Sequence, residues 1–116
     1  MEWFHGVITR QESERLLSNK KRGAFLVRVS ERVWGYTISY KDIGRCKHFL
    51  VDTIHGGYQF FGMDQLVHRG LNELIAHHKV HPISGLGKEV LLHACGQERD
   101  PPDYDNLLLD STTYNI

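Results

Sequence analysis

Residues 23–40 contain two successive stretches whose side chains alternate, a two-residue period that suits strands and not helices. In residues 23–30, Phe25, Val27 and Val29 fall on one face, and Ala24, Leu26, Arg28 and Ser30 on the other. In residues 34–40, Trp34, Tyr36, Ile38 and Tyr40 oppose Gly35, Thr37 and Ser39. Lys41-Asp42-Ile43-Gly44 supplies a hairpin loop before a third strand over residues 45–51, so three adjacent antiparallel strands are expected.

Before them, Thr9-Arg10-Gln11-Glu12 forms a capping box ahead of Leu16 and Leu17, which predicts a short first helix over residues 9–19. After them, His55-Gly56-Gly57 makes a turn into a short strand over residues 58–61. Leu71, Leu74, Ile75 and His78 stand at the i, i+3, i+4, i+7 spacing of one helix face, predicting a second helix over residues 70–79. Pro82, Gly85 and Gly87 end it in a loop, and residues 89–95 are a last apolar segment expected to pack as a strand near the N-terminus. Two helices are too few to alternate with the strands, so the fold class is α+β: a central antiparallel sheet flanked by two helices.

A chain of 116 residues, 41% apolar and 24% charged, suits one ordinary globular domain. No stretch reads as a membrane span or an export signal, and Cys46 and Cys95 are expected as reduced, buried thiols of a cytoplasmic protein. The zero net charge argues against a nucleic-acid partner. Its distribution divides the chain: residues 1–97 carry 13 Lys/Arg against 9 Asp/Glu, whereas residues 98–116 carry 1 against 5. Residues 1–96 therefore read as the domain, and residues 97–116, with Pro101-Pro102 and little periodicity, as an extended acidic tail.

Arg28 is the residue out of place, a permanent cation flanked by Phe25-Leu26-Val27 and Val29. Burial without compensation costs several kcal/mol, so a carboxylate, solvent or an arriving anion must answer it. Ser30, on the same face, and the backbone of the Ser30-Glu31-Arg32-Val33 loop offer donors for an oxyanion. From the strand alone both readings stand.

Five segments add context: Trp3-Phe4-His5-Gly6, Ile8-Thr9-Arg10, Glu12-Ser13-Glu14 with Leu16-Leu17, Gly23-Ala24-Phe25-Leu26-Val27-Arg28-Val29-Ser30, and Lys47-His48-Phe49. Their order and spacing resemble the Src-homology-2 (SH2) domain from about Trp3 to Cys95, among whose members the chain is most similar to small non-catalytic adaptors. The resemblance implies binding of phosphotyrosine in extended peptides of tyrosine-phosphorylated proteins, with a pocket on either side of the sheet. It assigns Arg28 to the base of the phosphate pocket, where a planar fork can make two charge-assisted bonds. Ser30 and the backbone of Glu31 and Arg32 complete the cradle, Arg10 reaches the phosphate and the phenol face, and His48 orients the pocket. Leu50 stands where many relatives have a lysine, and Val33 where they have a hydroxyl. Heavier dependence on Arg10 follows, with Arg32 as a replacement charge.

By the same resemblance the second pocket is lined by Phe49, Leu50, Phe61, Gly62, His78, and Ile83 to Leu86 of the following loop. A bulky Phe61 resembles the growth-factor-receptor adaptor type, which favours Asn two places after the phosphotyrosine; a general apolar preference further along is the other reading. The tail carries Tyr104-Asp105-Asn106 and Tyr114, possible phosphorylation sites. A stretch of about 30 Å from Cys95 to Tyr104 strains self-binding, so a phosphorylated Tyr104 would favour head-to-tail contact between otherwise monomeric molecules.

Rival functions have weaker support. The Cys-x5-Arg pattern of phosphatases fails, since Asp52 and Pro101 stand six residues after Cys46 and Cys95, and no nucleotide-binding glycine loop appears, so no enzyme is expected. His77 and His81 are four apart with His78 and His68 nearby, but without a paired glutamate motif or zinc-spaced cysteines they read as surface and core histidines, with no metal or other cofactor expected. The alternative function is an anionic-lipid module using Lys20-Lys21-Arg22 with Arg15, a membrane contact that would be weak and peripheral.

Overall fold

Apolar side chains on both faces of the strand at residues 24–29 need two covers, and the fold supplies one helix for each. The computed structural model describes residues 1–30, 35–62 and 66–96. Along the chain come β1 (Phe4–Val7), α1 (Arg10–Leu17), β2 (Ala24–Val29), β3 (Tyr36–Asp42), β4 (Arg45–Ile54), β5 (Gly57–Phe60), α2 (Leu71–His77) and β6 (His93–Ala94). The sheet runs β1-β2-β3-β4-β5, antiparallel from β2 to β5, with β1 and β6 both parallel to β2.

The alternation read from sequence separates two cores. Phe25 and Val27 join Ile38, Tyr40, Val51 and Phe60 beneath Leu74 and Ile75 of α2. Ala24 and Leu26, facing the other way, pack with Leu16 and Leu17 of α1 and with Cys95. Arg28 belongs by parity to the α1 side, as do Thr37 and Ser39 of β3.

Several boundaries differ from the sequence reading. The hairpin loop is shorter: Lys41 and Asp42 remain in β3, pairing with Cys46 and Arg45, and only Ile43 and Gly44 turn, with Gly44 at φ 75°. Asp42 is held there by Arg22 at 2.9 Å and Lys47 at 3.0 Å. The capping box is half formed. Thr9 Oγ accepts the Glu12 N–H at 2.9 Å, but the Glu12 carboxylate takes bonds from Arg15 instead of reaching back.

β1 was not foreseen, because residues 3–7 show no alternation. The strand is held by backbone pairing, including the Val27 N–H donated to the Trp3 carbonyl at 2.8 Å. The last apolar segment contributes only the two residues of β6, and its first member, Glu89, is a buried acid at 2% exposure. Lys47 at 2.6 Å and the Ser84 hydroxyl at 2.8 Å satisfy that carboxylate. Burial pushes Glu89 upward, but these two bonds prevail and hold it below its ordinary value. Cys95 is buried as expected, whereas Cys46 is half-buried; both are free thiols.

Gly23 is a site where the fold requires glycine. Its φ is +95°, and an added Cβ would lie 2.9 Å from the Leu92 side chain. Its carbonyl accepts the N–H groups of Leu92 and His93, seating the segment that carries β6.

Candidate functional site

A chain of polar contacts crosses the α1 side of the sheet. Arg28 is 5% exposed, and its Nε donates to Ser39 Oγ at 3.0 Å. Its outer nitrogens make long contacts of 3.5 Å with the Ile8 carbonyl and with His48 Nδ1. Ser39 Oγ lies 2.8 Å from His48 Nδ1, and His48 Nε2 lies 2.8 Å from Glu14 Oε2. Because a carboxylate only accepts, the proton sits on Nε2, and Nδ1 takes the Ser39 hydroxyl hydrogen. Ser13 Oγ, which donates to the Arg10 carbonyl at 2.6 Å, completes the cluster 3.3 Å from Ser39 Oγ.

The strand register dictates this arrangement. Ser39 pairs with His48 across β3 and β4, and Thr37, one same-face step along β3, pairs with Arg28. α1 then lays Arg10, Ser13 and Glu14 over them, three residues that one helical turn places on a common side.

The electrostatics are those of a neutral histidine between cations. Burial is the main cause that lowers His48; Arg10 and Arg28 push the same way, and the bond to Glu14 opposes them. Glu14 is lowered, first by its bond from His48 and then by Arg10, whose Nε lies 3.4 Å away. Arg10 is 65% exposed, so the site has a buried guanidinium below and a solvated one above.

Arg10 and His48 line an open cleft of about 330 Å³ together with Arg45, Cys46, Lys47 and Phe49. Arg45 and Lys47 went unremarked as cations in the sequence, although alternation along β4 already aligns Arg45, Lys47 and Phe49 on one face. The Lys47 ammonium is committed to Asp42 and Glu89, leaving Arg45 as the exposed cation that β4 adds. Ser39 and Glu14 are the other residues whose part was not foreseen. Ser30 is half-buried at the end of β2, its N–H donating to the Gly35 carbonyl at 3.2 Å. Glu31, Arg32 and Val33 lie outside the described residues.

On the α2 side lies a larger cleft of about 580 Å³, lined by Leu66, His77, His78, Pro82, Ile83, Ser84 and Gly85. Of the residues expected in a second pocket, it brings together the buried His78 and Ile83 with Ser84 and Gly85 of the following loop. Phe61 is exposed, its N–H fixed to the Leu50 carbonyl at 2.8 Å, and Leu86 stands fully in solvent. Leu50 is half-buried, Gly62 is exposed, and Phe49 packs edge-on against Phe60 at 5.8 Å. Tyr104, Tyr114 and the rest of residues 97–116 lie outside the described residues.

A sheet between two helices, with a buried arginine on one face and an apolar cleft on the other, defines a class, and sequence comparison agrees: the SH2 domain profile matches residues 3–78, and the chain belongs to the SH2 family. Members of that family are generally non-catalytic modules that bind phosphotyrosine peptides in signalling.

Among curated proteins, the chain is 49% identical over 106 residues to SH2 domain-containing protein 4A of Xenopus tropicalis, covering 91% of this chain and 23% of that protein. It is 44% identical over 112 residues to the hematopoietic SH2 domain-containing protein of Mus musculus, covering 95% of this chain and 33% of that one. The chain thus spans a quarter to a third of these relatives' length. The SH2 domain of a Monosiga brevicollis CRK/CRKL homolog, solved by NMR, superposes with a TM-score of 0.72 at 24% identity, covering 84% of this chain and 88% of that one. No helix among the described residues is long and apolar enough to cross a membrane.

Proposed function

We propose that this chain is the phosphotyrosine-peptide binding module of a cytoplasmic signalling adaptor, with Arg28 holding the phosphate. The observation that carries the proposal is the buried Arg28 guanidinium, oriented at Nε by Ser39 and in contact with His48, a cleft-lining histidine kept neutral, so that a buried positive charge is fixed in place beside the cleft. A phosphate dianion reaching it forms charge-assisted bonds in a water-poor setting. Depth selects phosphotyrosine over phosphoserine, since the longer phenolic side chain delivers its phosphate to the floor. Arg10 closes over the ring from α1, Arg45 adds a cation at the mouth, and Ser30 with the backbone of Glu31 and Arg32 completes the cradle.

The α2-side cleft reads the residues after the phosphotyrosine. Its apolar floor at Ile83 suits an aliphatic side chain at the third or fourth position. The exposed Phe61 supports the alternative of a turned peptide with Asn at the second position. Residues 1–96 form the module and residues 97–116 an appended tail, through which phosphorylation at Tyr104 would join two molecules. The rival lipid role is weakened because Arg22 of the basic run is engaged by Asp42.

A degenerate phosphotyrosine peptide library tests the proposal against wild type, Arg28→Ala and Arg28→Lys. Removing one member of a buried charge pair costs about 2–5 kcal/mol, so Arg28→Ala should weaken binding by roughly 30-fold or more, with partial recovery in Arg28→Lys. A loss below about tenfold in a folded Arg28→Ala protein would reject Arg28 as the phosphate ligand. Enrichment of Asn or of aliphatic residues in the selected peptides decides between the two readings of the second cleft, and sedimentation with anionic liposomes tests the lipid role.

A further inference from the structure

Three histidines converge beside the α2-side cleft. His77 is in the last turn of α2, His78 caps that helix, and His68 is fixed from outside it by reciprocal backbone bonds with Tyr58 of β5, at 2.7 and 2.8 Å. One ring nitrogen from each lies within 4.8 Å of the other two. The ring centroids are 4.9 Å apart for His77 and His78, 5.0 Å for His68 and His77, and 6.1 Å for His68 and His78.

The unsatisfied atoms indicate what these rings face. Nε2 of His68 and Nε2 of His78 are buried and have no hydrogen-bond partner among the described residues. Nδ1 of His78 is 2.8 Å from the His81 carbonyl, which only accepts, so the proton is on Nδ1 and Nε2 presents a bare lone pair. His68 Nε2 is unpartnered in the same cluster, and a buried ring nitrogen that has lost its water without gaining a bond makes a poor core in either tautomer. The same arrangement is what a metal-bound imidazole requires: a neutral ring whose far N–H is anchored to a backbone carbonyl.

We propose that His68, His77 and His78 bind a divalent transition-metal ion, with zinc the ion their imidazole donors suit best, leaving a fourth position open towards the cleft. Tetrahedral coordination with Zn–N bonds of about 2.0–2.1 Å places imidazole centroids about 5 Å apart, so two of the three ring pairs already stand at that spacing. The His68–His78 pair is the wide one at 6.1 Å, and because His77 is also stacked on His81 at 4.3 Å, it is the half-buried His68 ring that has to turn inward on binding. Sequence spacing hides the cluster, because His68 reaches it only through the bridge to β5 and not through a helical repeat. The proposal does not depend on peptide binding.

Zinc chloride titrated by calorimetry into chelator-treated protein tests it. The expected result is one ion per chain, with affinity at least tenfold lower in both His68→Gln and His77→Gln, and unchanged in Cys46→Ser. Circular dichroism on the metal-free variants confirms that they are folded. X-ray absorption of the loaded protein should show imidazole nitrogen at zinc and no sulfur. Should a variant fail to fold, that spectrum on the wild type alone decides. Absence of saturable uptake by wild type, equal affinity in the folded histidine variants, or sulfur at the metal overturns the proposal.

Discussion

On the α1 side of the sheet His48 has a partner at each ring nitrogen, Ser39 at Nδ1 and Glu14 at Nε2. On the α2 side His78 has a partner at Nδ1 and, among the described residues, none at Nε2. Both rings are buried and both are held below the ordinary histidine pKa by that burial. The difference lies in what surrounds them. β3 and β4 place hydroxyl, imidazole and guanidinium in register, so the α1 side is a closed polar circuit of fixed geometry. The α2 side is built from Leu74, Ile75, Ile83 and Phe60, which offer shape and no hydrogen bonds. One side is suited to hold an anion at a point, the other to accept an apolar side chain beside a cluster of imidazoles.

Truncating the apolar cover should have the largest effect on stability. Leu74→Ala removes a fully buried side chain from the α2-side core and should cost about 2–5 kcal/mol in chemical denaturation. If the two sides serve separate ends, the surviving folded fraction should retain its affinity for phosphotyrosine itself. Opening the polar circuit comes next. Ser39→Ala removes the hydroxyl that Arg28 Nε donates to and the shortest contact of His48 Nδ1, and should destabilise by about 1–3 kcal/mol, with a parallel loss of peptide affinity. A variant with full affinity would break the link between circuit and binding. Thr9→Ala deletes the α1 cap and should cost about 1 kcal/mol, measured by thermal unfolding, and should loosen Arg10 more than Arg28.

The smallest effect is in pH. The unfolded chain protonates His48 at its ordinary value of 6.5, whereas the folded ring, buried and facing Arg10, Arg28 and Glu14, protonates lower. Between those two values the unfolded state binds more protons, so the stability His48 confers is full above the unfolded value and is lost as pH falls through the folded one. The gap in melting temperature between wild type and His48→Gln should narrow between about pH 7 and pH 5. A constant gap would show that His48 does not titrate differently in the two states.

The strands were legible where side chains alternate: β2 and β3 emerged near their true bounds because each is largely buried, whereas β4, half-buried over most of its length, runs on past Val51 to Ile54. β1 escaped notice because it owes its place to backbone pairing with β2, which leaves no mark in side-chain order. Lys41 and Asp42 looked like loop residues, but Arg22 and Lys47 hold the Asp42 carboxylate in the strand pair, and Lys41 Nζ donates to the Ser18 carbonyl. In the site, Arg28 was conspicuous as a cation among apolar neighbours, and His48 came with its motif. Ser39 and Glu14 carried no such contrast, since a serine in a strand and a glutamate on a helix are ordinary until register and helix placement bring them to His48. Glu89 was hidden for the opposite reason: it opens an apolar run, and its burial is made tolerable by the distant Lys47 together with Ser84.

β1 and β6 share one margin of β2, and the His5 ring reaches the Cys95 carbonyl at 2.7 Å across them. The first and last strands of the described residues are thereby clasped together on a single flank, opposite the margin formed by β5. Chain entering β1 and chain leaving β6 meet on that same flank, so the strands between them can be threaded into a longer polypeptide as a side loop is, without the two points of attachment being pulled apart.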